Sequence, residues 1–88
     1  MEFTFRPMRG ADITVNAKTA KQAAQLAAFK LWQGQEDDMP KPQSHANIAV
    51  SEPGPGPDDN APGKYGVTYI APGEKSSYTR ATTLRLVV

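Results

Sequence analysis

The residue types that most often carry out catalysis are sparse in this chain. His45 is the sole histidine and stands at the edge of a predicted loop, and no serine lies in a Gly-x-Ser-x-Gly turn. Because nucleophilic catalysis needs a base beside the nucleophile, this pattern favours a solvent-facing histidine over a catalytic one. We therefore predict that the protein is not an enzyme and has no catalytic residues.

Metal and phosphate sites are not indicated either. The acidic run 36–38 offers the oxygen ligands that Ca²⁺ and Mg²⁺ prefer, but its spacing matches no dedicated loop, and adjacent carboxylates are usually solvated. Gly54 and Gly56 lie between prolines, which lack the N–H donors of a phosphate-binding loop. We expect no metal and no cofactor.

Cations and aromatic residues are interleaved towards the C-terminal end, which is a pattern used to hold single-stranded nucleic acid. Aromatic rings stack on bases while cations contact the phosphates. The alternative is a plain hairpin with core tyrosines and surface cations, and the alternation of Tyr65 with Val67 favours it for Tyr65. The candidate nucleic-acid-binding residues are Lys64, Tyr69, Lys75, Tyr78, Arg80 and Arg85.

The stretch Thr19–Trp32 is a strong helix signal and presents a second candidate surface. Thr19 and Gln22 form a Thr-x-x-Gln capping pattern. At about 100° per residue an alanine-rich stripe can pack on a sheet, while Phe29 points away from it. Large apolar groups among lysines suggest a face for a partner, although burial of Phe29 or Trp32 is the alternative. The predicted partner-binding residues are Lys18, Lys21, Gln25, Leu26, Phe29 and Trp32.

Alternating apolar and polar residues predict strands on both sides of this helix. The predicted strands cover residues 2–6, 11–17, 45–51, 64–70 and 76–88, and we expect the last of them at an edge of the sheet. In that strand Leu84 and Leu86 should face the core, with Thr83 and Arg85 facing outward. The run 53–63 is rich in proline and glycine and predicts a loop. The order β-β-α-β-β-β predicts a single small α+β domain over 1–88, with one helix on one face of a mostly antiparallel sheet.

Composition narrows the class of protein further. The chain of 88 residues contains no cysteine, so it has no disulfide and no thiolate metal site, which fits a reducing compartment. No apolar run approaches the roughly 20 residues of a membrane span. The net charge is only +1, but an acidic segment, 35–63, lies between two basic segments. We expect a cytoplasmic protein with no membrane partner, located in the host cell or a virion if phage-encoded.

The run APGKYGV over 61–67, followed by a hairpin and the ending LRLV over 84–87, resembles the C-terminal hairpin of filamentous-phage single-stranded DNA-binding proteins. That resemblance is confined to the C-terminal part of the chain and implies DNA contacts at Tyr78, Arg80 and Arg85. The ββαβββ outline also resembles small phage-encoded inhibitors such as anti-CRISPR proteins, by shape and size.

Together these features predict a non-enzymatic binding protein that acts through protein–protein contacts. Its partner would be another protein or a second copy of the chain, as in a small phage-type inhibitor or a virion or assembly component. The alternative prediction is a single-stranded nucleic-acid-binding protein that uses the basic and aromatic hairpin.

Overall fold

The computed structural model describes residues 1–51, 63–73 and 78–87 of the chain. They form a helix and a five-stranded antiparallel sheet, which confirms the predicted α+β class. Most of the predicted loop 53–63 and the predicted start of the last strand lie outside the described residues. The elements are β1 (Glu2–Pro7), β2 (Ile13–Asn16), α1 (Ala20–Gln33), β3 (Ala49–Ser51), β4 (Lys64–Ile70) and β5 (Thr79–Leu86).

Strand β5 lies in the middle of the sheet, whose order is β2-β1-β5-β4-β3. It pairs antiparallel with β1 on one side and with β4 on the other. The prediction that the last strand is an edge is therefore wrong. The central position pairs backbone groups on both sides of the longest strand, and it leaves the two shortest strands, β2 and β3, at the edges.

Helix α1 begins where its side chains predict. The Thr19 Oγ1 accepts a hydrogen bond from the Gln22 N–H at 3.1 Å, and the Gln22 Oε1 accepts one from the Lys18 N–H at 3.0 Å. Two backbone donors near the helix start are thus satisfied by side chains. At the other end, the Gly34 N–H donates to the carbonyl of Lys30.

The helix packs on one face of the sheet through small side chains. Ala23, Ala24, Ala27 and Ala28 are buried, and their size lets the helix backbone lie close to the strands. Large side chains from the sheet and the connecting segment fill the space beneath. The largest fully buried ones include Phe5, Ile48, Val67 and Leu84.

Strand alternation separates the helix-covered face from an open face. Phe5 and Val67 point to the covered face and are buried, whereas their neighbours along the strands, such as Arg6 and Thr68, point the other way. Within residues 1–51, 63–73 and 78–87, no helix lies over that second face.

The predicted strand 45–51 is only partly formed. His45–Asn47 makes a single 3₁₀ turn, because the Ser44 hydroxyl accepts a hydrogen bond from the Ala46 N–H at 3.1 Å and caps it. Only Ala49–Ser51 pairs with β4. In the part of the chain that the structure describes, no helix is long and apolar enough to cross a membrane.

Candidate functional site

The outer side of α1, predicted to bind a partner, is partly covered by the chain itself. Gln25, Phe29 and Gln33 recur every four residues and so lie on one side of the helix. The Gln25 Nε2 donates to the carbonyl of Ile48 at 2.8 Å. The Gln33 Nε2 donates to the carbonyl of Pro42 at 2.6 Å. The segment from Pro42 to Ile48 therefore runs along the side that carries Phe29, whose ring is half-buried against the core.

The remaining predicted members of this face divide between core and solvent. Trp32 is only 3% exposed, so its assignment to a partner surface is wrong. It lies beside the buried alanines in the last turns of the helix, where its large apolar area closes the core. Leu26 is half-buried, and Lys18 and Lys21 are exposed. The face thus offers two lysines but no exposed aromatic centre.

Arg80 is 5% exposed, so its assignment to a nucleic-acid surface is also wrong. Its side chain leaves β5 on the helix-covered side and meets the segment that follows α1. There the guanidinium makes four hydrogen bonds: from Nε to the Pro40 carbonyl at 2.8 Å, from Nη1 to the Gln35 Oε1 at 2.9 Å, and from Nη2 to the Met39 carbonyl at 3.1 Å and to the Asp37 carboxylate. A guanidinium held in this way has a structural role.

The ion pair with Arg80 changes the chemistry of Asp37. The hydrogen bond from Arg80 lowers the pKa of the Asp37 carboxyl. Desolvation opposes this shift, while the N–H of Met39 at 3.0 Å and the charges of Arg80 and Lys41 add to it. One carboxylate of the acidic run 36–38 is therefore a counter-ion within the fold.

Alternation alone contains the signal that Arg80 points inward. Leu84 and Leu86 were expected to face the core, and Arg80 has the same parity on the strand. The partner could not be identified in the same way, because Asp37 lies 43 positions earlier in a segment assigned to a loop by composition.

The tyrosines do not form a stacking surface with the cations. Tyr69 is buried, and Tyr65 packs edge-to-face on a core phenylalanine with ring centroids 5.8 Å apart. Tyr78 is exposed, but it lies just before β5, roughly 20 Å along the strand from Arg85. Lys75 lies outside the described residues.

The open face of the sheet carries a row of cations that the sequence analysis found only in part. Arg6 of β1 is opposite Arg85 of β5, and Arg85 is opposite Lys64 of β4. All three side chains are exposed and lie on adjacent strands, which are about 4.8 Å apart. We refer to Arg6, Arg85 and Lys64 as the cation row. Arg6 was missed because strand register, rather than spacing in the sequence, brings it beside the other two.

One end of the cation row is partly neutralised. The Arg6 Nε donates to the Asp12 Oδ1 at 3.1 Å and its Nη2 to the Asp12 Oδ2 at 3.3 Å. This forked contact raises the pKa of Arg6. Within the described residues, neither Arg85 nor Lys64 forms an ion pair, so the positive charge is concentrated at the centre and the β4 end of the row.

A shallow groove of about 300 Å³ runs beside the cation row. Met8 and Thr83 line it together with the cations, and Met8 is 79% exposed. The groove therefore combines positive charge, a hydroxyl group and an apolar side chain. This combination suits an anionic group that is attached to an apolar or flexible stem.

Comparisons with protein-family models, with curated proteins and with solved structures give no match to this chain.

Proposed function

We propose that this chain is a non-enzymatic binding protein that acts through protein–protein contacts, with the open face of the sheet as its contact surface. The cation row is the observation that supports this most. Like charges in directly opposite positions on neighbouring strands destabilise a sheet. A row of them on an exposed face fits a surface whose counter-charges come from a bound partner.

The chemistry of the groove favours a partner that presents carboxylates. The planar guanidinium of Arg85 matches a carboxylate in a two-pronged contact, and Lys64 adds a second positive charge one strand away. Met8, next to the row, offers apolar contact to the stem of a glutamate or to a neighbouring side chain. An acidic segment of another protein satisfies all of these groups.

Single-stranded nucleic acid is the second hypothesis, because Lys64 and Arg85 were predicted to contact it and both lie in the cation row. The described part of the open face carries no aromatic side chain, however, so bases would find no stacking surface there. For this reason the acidic protein segment is the partner that we favour.

The two hypotheses can be separated with two labelled probes, a hexaglutamate peptide and an oligothymidylate of similar charge. Binding is measured by fluorescence anisotropy at low ionic strength. We expect the peptide to bind, and we expect the double variant Lys64→Ala/Arg85→Ala to weaken that binding about tenfold, since it removes two charge contacts. Added salt should weaken binding to the unmodified protein as well.

The matched control is Lys18→Ala/Lys21→Ala, which removes the same charge from exposed positions at the start of α1. We expect this control to bind hexaglutamate as the unmodified protein does. An equal loss in both double variants would mean that total charge, and not the cation row, attracts the peptide. If oligothymidylate binds more tightly than hexaglutamate, and the Lys64→Ala/Arg85→Ala variant loses that binding, the partner is nucleic acid and not an acidic protein segment.

A role as a small phage-type inhibitor or as a virion or assembly component is part of the same proposal. A small α+β domain with a charged open face can serve by blocking an acidic surface or by joining one. The cytoplasm of a host cell, or a virion, is the location that we propose, because a chain without cysteine needs no oxidising compartment.

A further inference from the structure

A second groove lies between β2, at one edge of the sheet, and the C-terminal half of α1. Its volume is about 450 Å³, which exceeds that of the groove beside the cation row. Ile13 and Thr14 line it from the strand, and Lys30 and Leu31 line it from the helix. Residues 9–12, which connect β1 to β2, also line it.

Strand β2 offers hydrogen-bonding groups along this groove. It lies at the edge of the sheet and pairs with β1 only, so one side of its backbone has no strand partner within the described residues. Natural edge strands are commonly protected by their short length or by lysine, proline or a bulge; Ile13–Asn16 is four residues long and contains neither lysine nor proline. An extended peptide can therefore pair with this edge.

The lining of the groove restricts which peptide fits. Ile13 and Leu31 are half-buried and leave apolar surface facing the groove. Arg9 and Lys30 are exposed cations. Asp12, the one acidic residue in the lining, is bound to Arg6 on the open face. The groove is thus apolar with positive charge at its margin. It complements an extended segment with an apolar residue and carboxylates two positions before and after it, since these side chains share one face of a strand.

We propose that the edge of β2 accepts an extended acidic segment of a partner protein as an additional strand. Backbone hydrogen bonds to β2 hold the segment, one of its apolar side chains contacts Ile13 and Leu31, and its carboxylates pair with Arg9 and Lys30. This inference goes beyond the proposed function, because it rests on a different groove and on strand pairing rather than on the cation row.

The test uses the pentapeptide Asp-Thr-Val-Thr-Glu with blocked ends, in which the valine and both carboxylates share one face of an extended strand, and follows the backbone amides of the isotope-labelled protein by NMR. Two further copies of the peptide are N-methylated, one at the first, third and fifth residues and the other at the second and fourth. In an added strand, alternate N–H groups face the protein. We therefore expect one methylated copy to lose binding and the other to keep it, with shifts centred on Ile13–Asn16 and Lys30. Equal binding by both copies would overturn the proposal.

A charge exchange tests the second part of the proposal. The double variant Arg9→Glu/Lys30→Glu should bind the acidic peptide about tenfold more weakly and gain affinity for Lys-Thr-Val-Thr-Lys. Lys18→Glu/Lys21→Glu is the matched control and should keep the original preference. Lys64→Ala/Arg85→Ala should also keep it, so a failure of the cation row and a failure of this groove are distinguishable. A dimer seen by sedimentation without peptide, whose formation shifts the amides of Ile13–Asn16 and blocks the acidic peptide, would show that β2 pairs with a second copy instead.

Discussion

The guanidinium of Arg80 on the central strand donates to the carboxylate of Asp37, 43 positions earlier in the chain. The arginine side chain is 4% exposed, whereas the aspartate side chain is 35% exposed. Together with bonds to two backbone carbonyls, this pair fastens the segment after α1 to the sheet. A residue predicted to contact nucleic acid is thus a fixed part of the fold.

Arg80→Ala should destabilise the protein by about 2–4 kcal/mol, because it removes the hydrogen bonds to Gln35, Met39 and Pro40 together with a buried side chain. Arg80→Lys should destabilise the protein less than Arg80→Ala does, since an ammonium keeps the charge but lacks the planar set of donors. Urea denaturation measures both. The control Arg85→Ala changes an exposed arginine on the same strand and should stay within about 0.5 kcal/mol. Equal losses at the two positions would contradict the assignment.

Stability should depend on pH through Asp37. Its pKa is lowered in the folded protein, so the unfolded state binds the proton more readily. The contribution of this group is therefore complete above its unfolded pKa of about 3.9 and is lost as pH falls through the lower folded value. Asp37→Asn should remove this part of the acid dependence when denaturation is measured across that range. Asp38→Asn, at an exposed neighbour, should leave it in place.

Phe29→Ser should cost about 1–3 kcal/mol, less than the roughly 3–5 kcal/mol of a fully buried phenylalanine, because the ring is half-buried beside the segment from Pro42 to Ile48. Met8→Ser, at a side chain that is 79% exposed, is the control and should change little. Denaturation curves give both values. Hexaglutamate binding should be unaffected by Phe29→Ser. If the variant lost this binding, the outer side of α1, and not the open face of the sheet, would be the partner surface.

Removing Asp12 should strengthen the binding of acidic probes. Asp12→Ala frees the guanidinium of Arg6, and among residues 1–51, 63–73 and 78–87 no ion-pair partner of the cation row then remains. We expect hexaglutamate to bind about two- to threefold more tightly at low salt, the size of one exposed ion pair. Asp38→Ala makes the same change in net charge away from the row. If it strengthens binding equally, the effect belongs to total charge.

Local patterns predicted the parts of the fold that are decided locally. Thr19 and Gln22 lie within one helical turn, and the cap they form is the one the sequence indicated. Phe29 does lie opposite the alanine stripe. The segment that covers its ring could not be predicted. Pro42 and Ile48 belong to a later part of the chain, and hydrogen bonds from Gln33 and Gln25 hold their carbonyls beside the helix.

The candidate site likewise has features that follow from local sequence and features that follow from contacts between distant segments. The alternation of Leu84 with Arg85 predicted that Arg85 faces outward, and the structure agrees. The cation row depends on which strands are neighbours. No local sequence pattern predicts a strand order that places β5 between β1 and β4. A prediction of the last strand as an edge necessarily left Arg6 out of the site.

The central position of β5 also sets the order in which the sheet can be completed during translation. The hairpin of β1 and β2 and the helix leave the ribosome first, followed by β3 and β4. These two parts share no strand contact until β5 emerges and inserts between them. Until then, the apolar side chains of Phe5 and Val67 lack the central strand between them, and the nascent chain is exposed to wrong pairings and to chaperones.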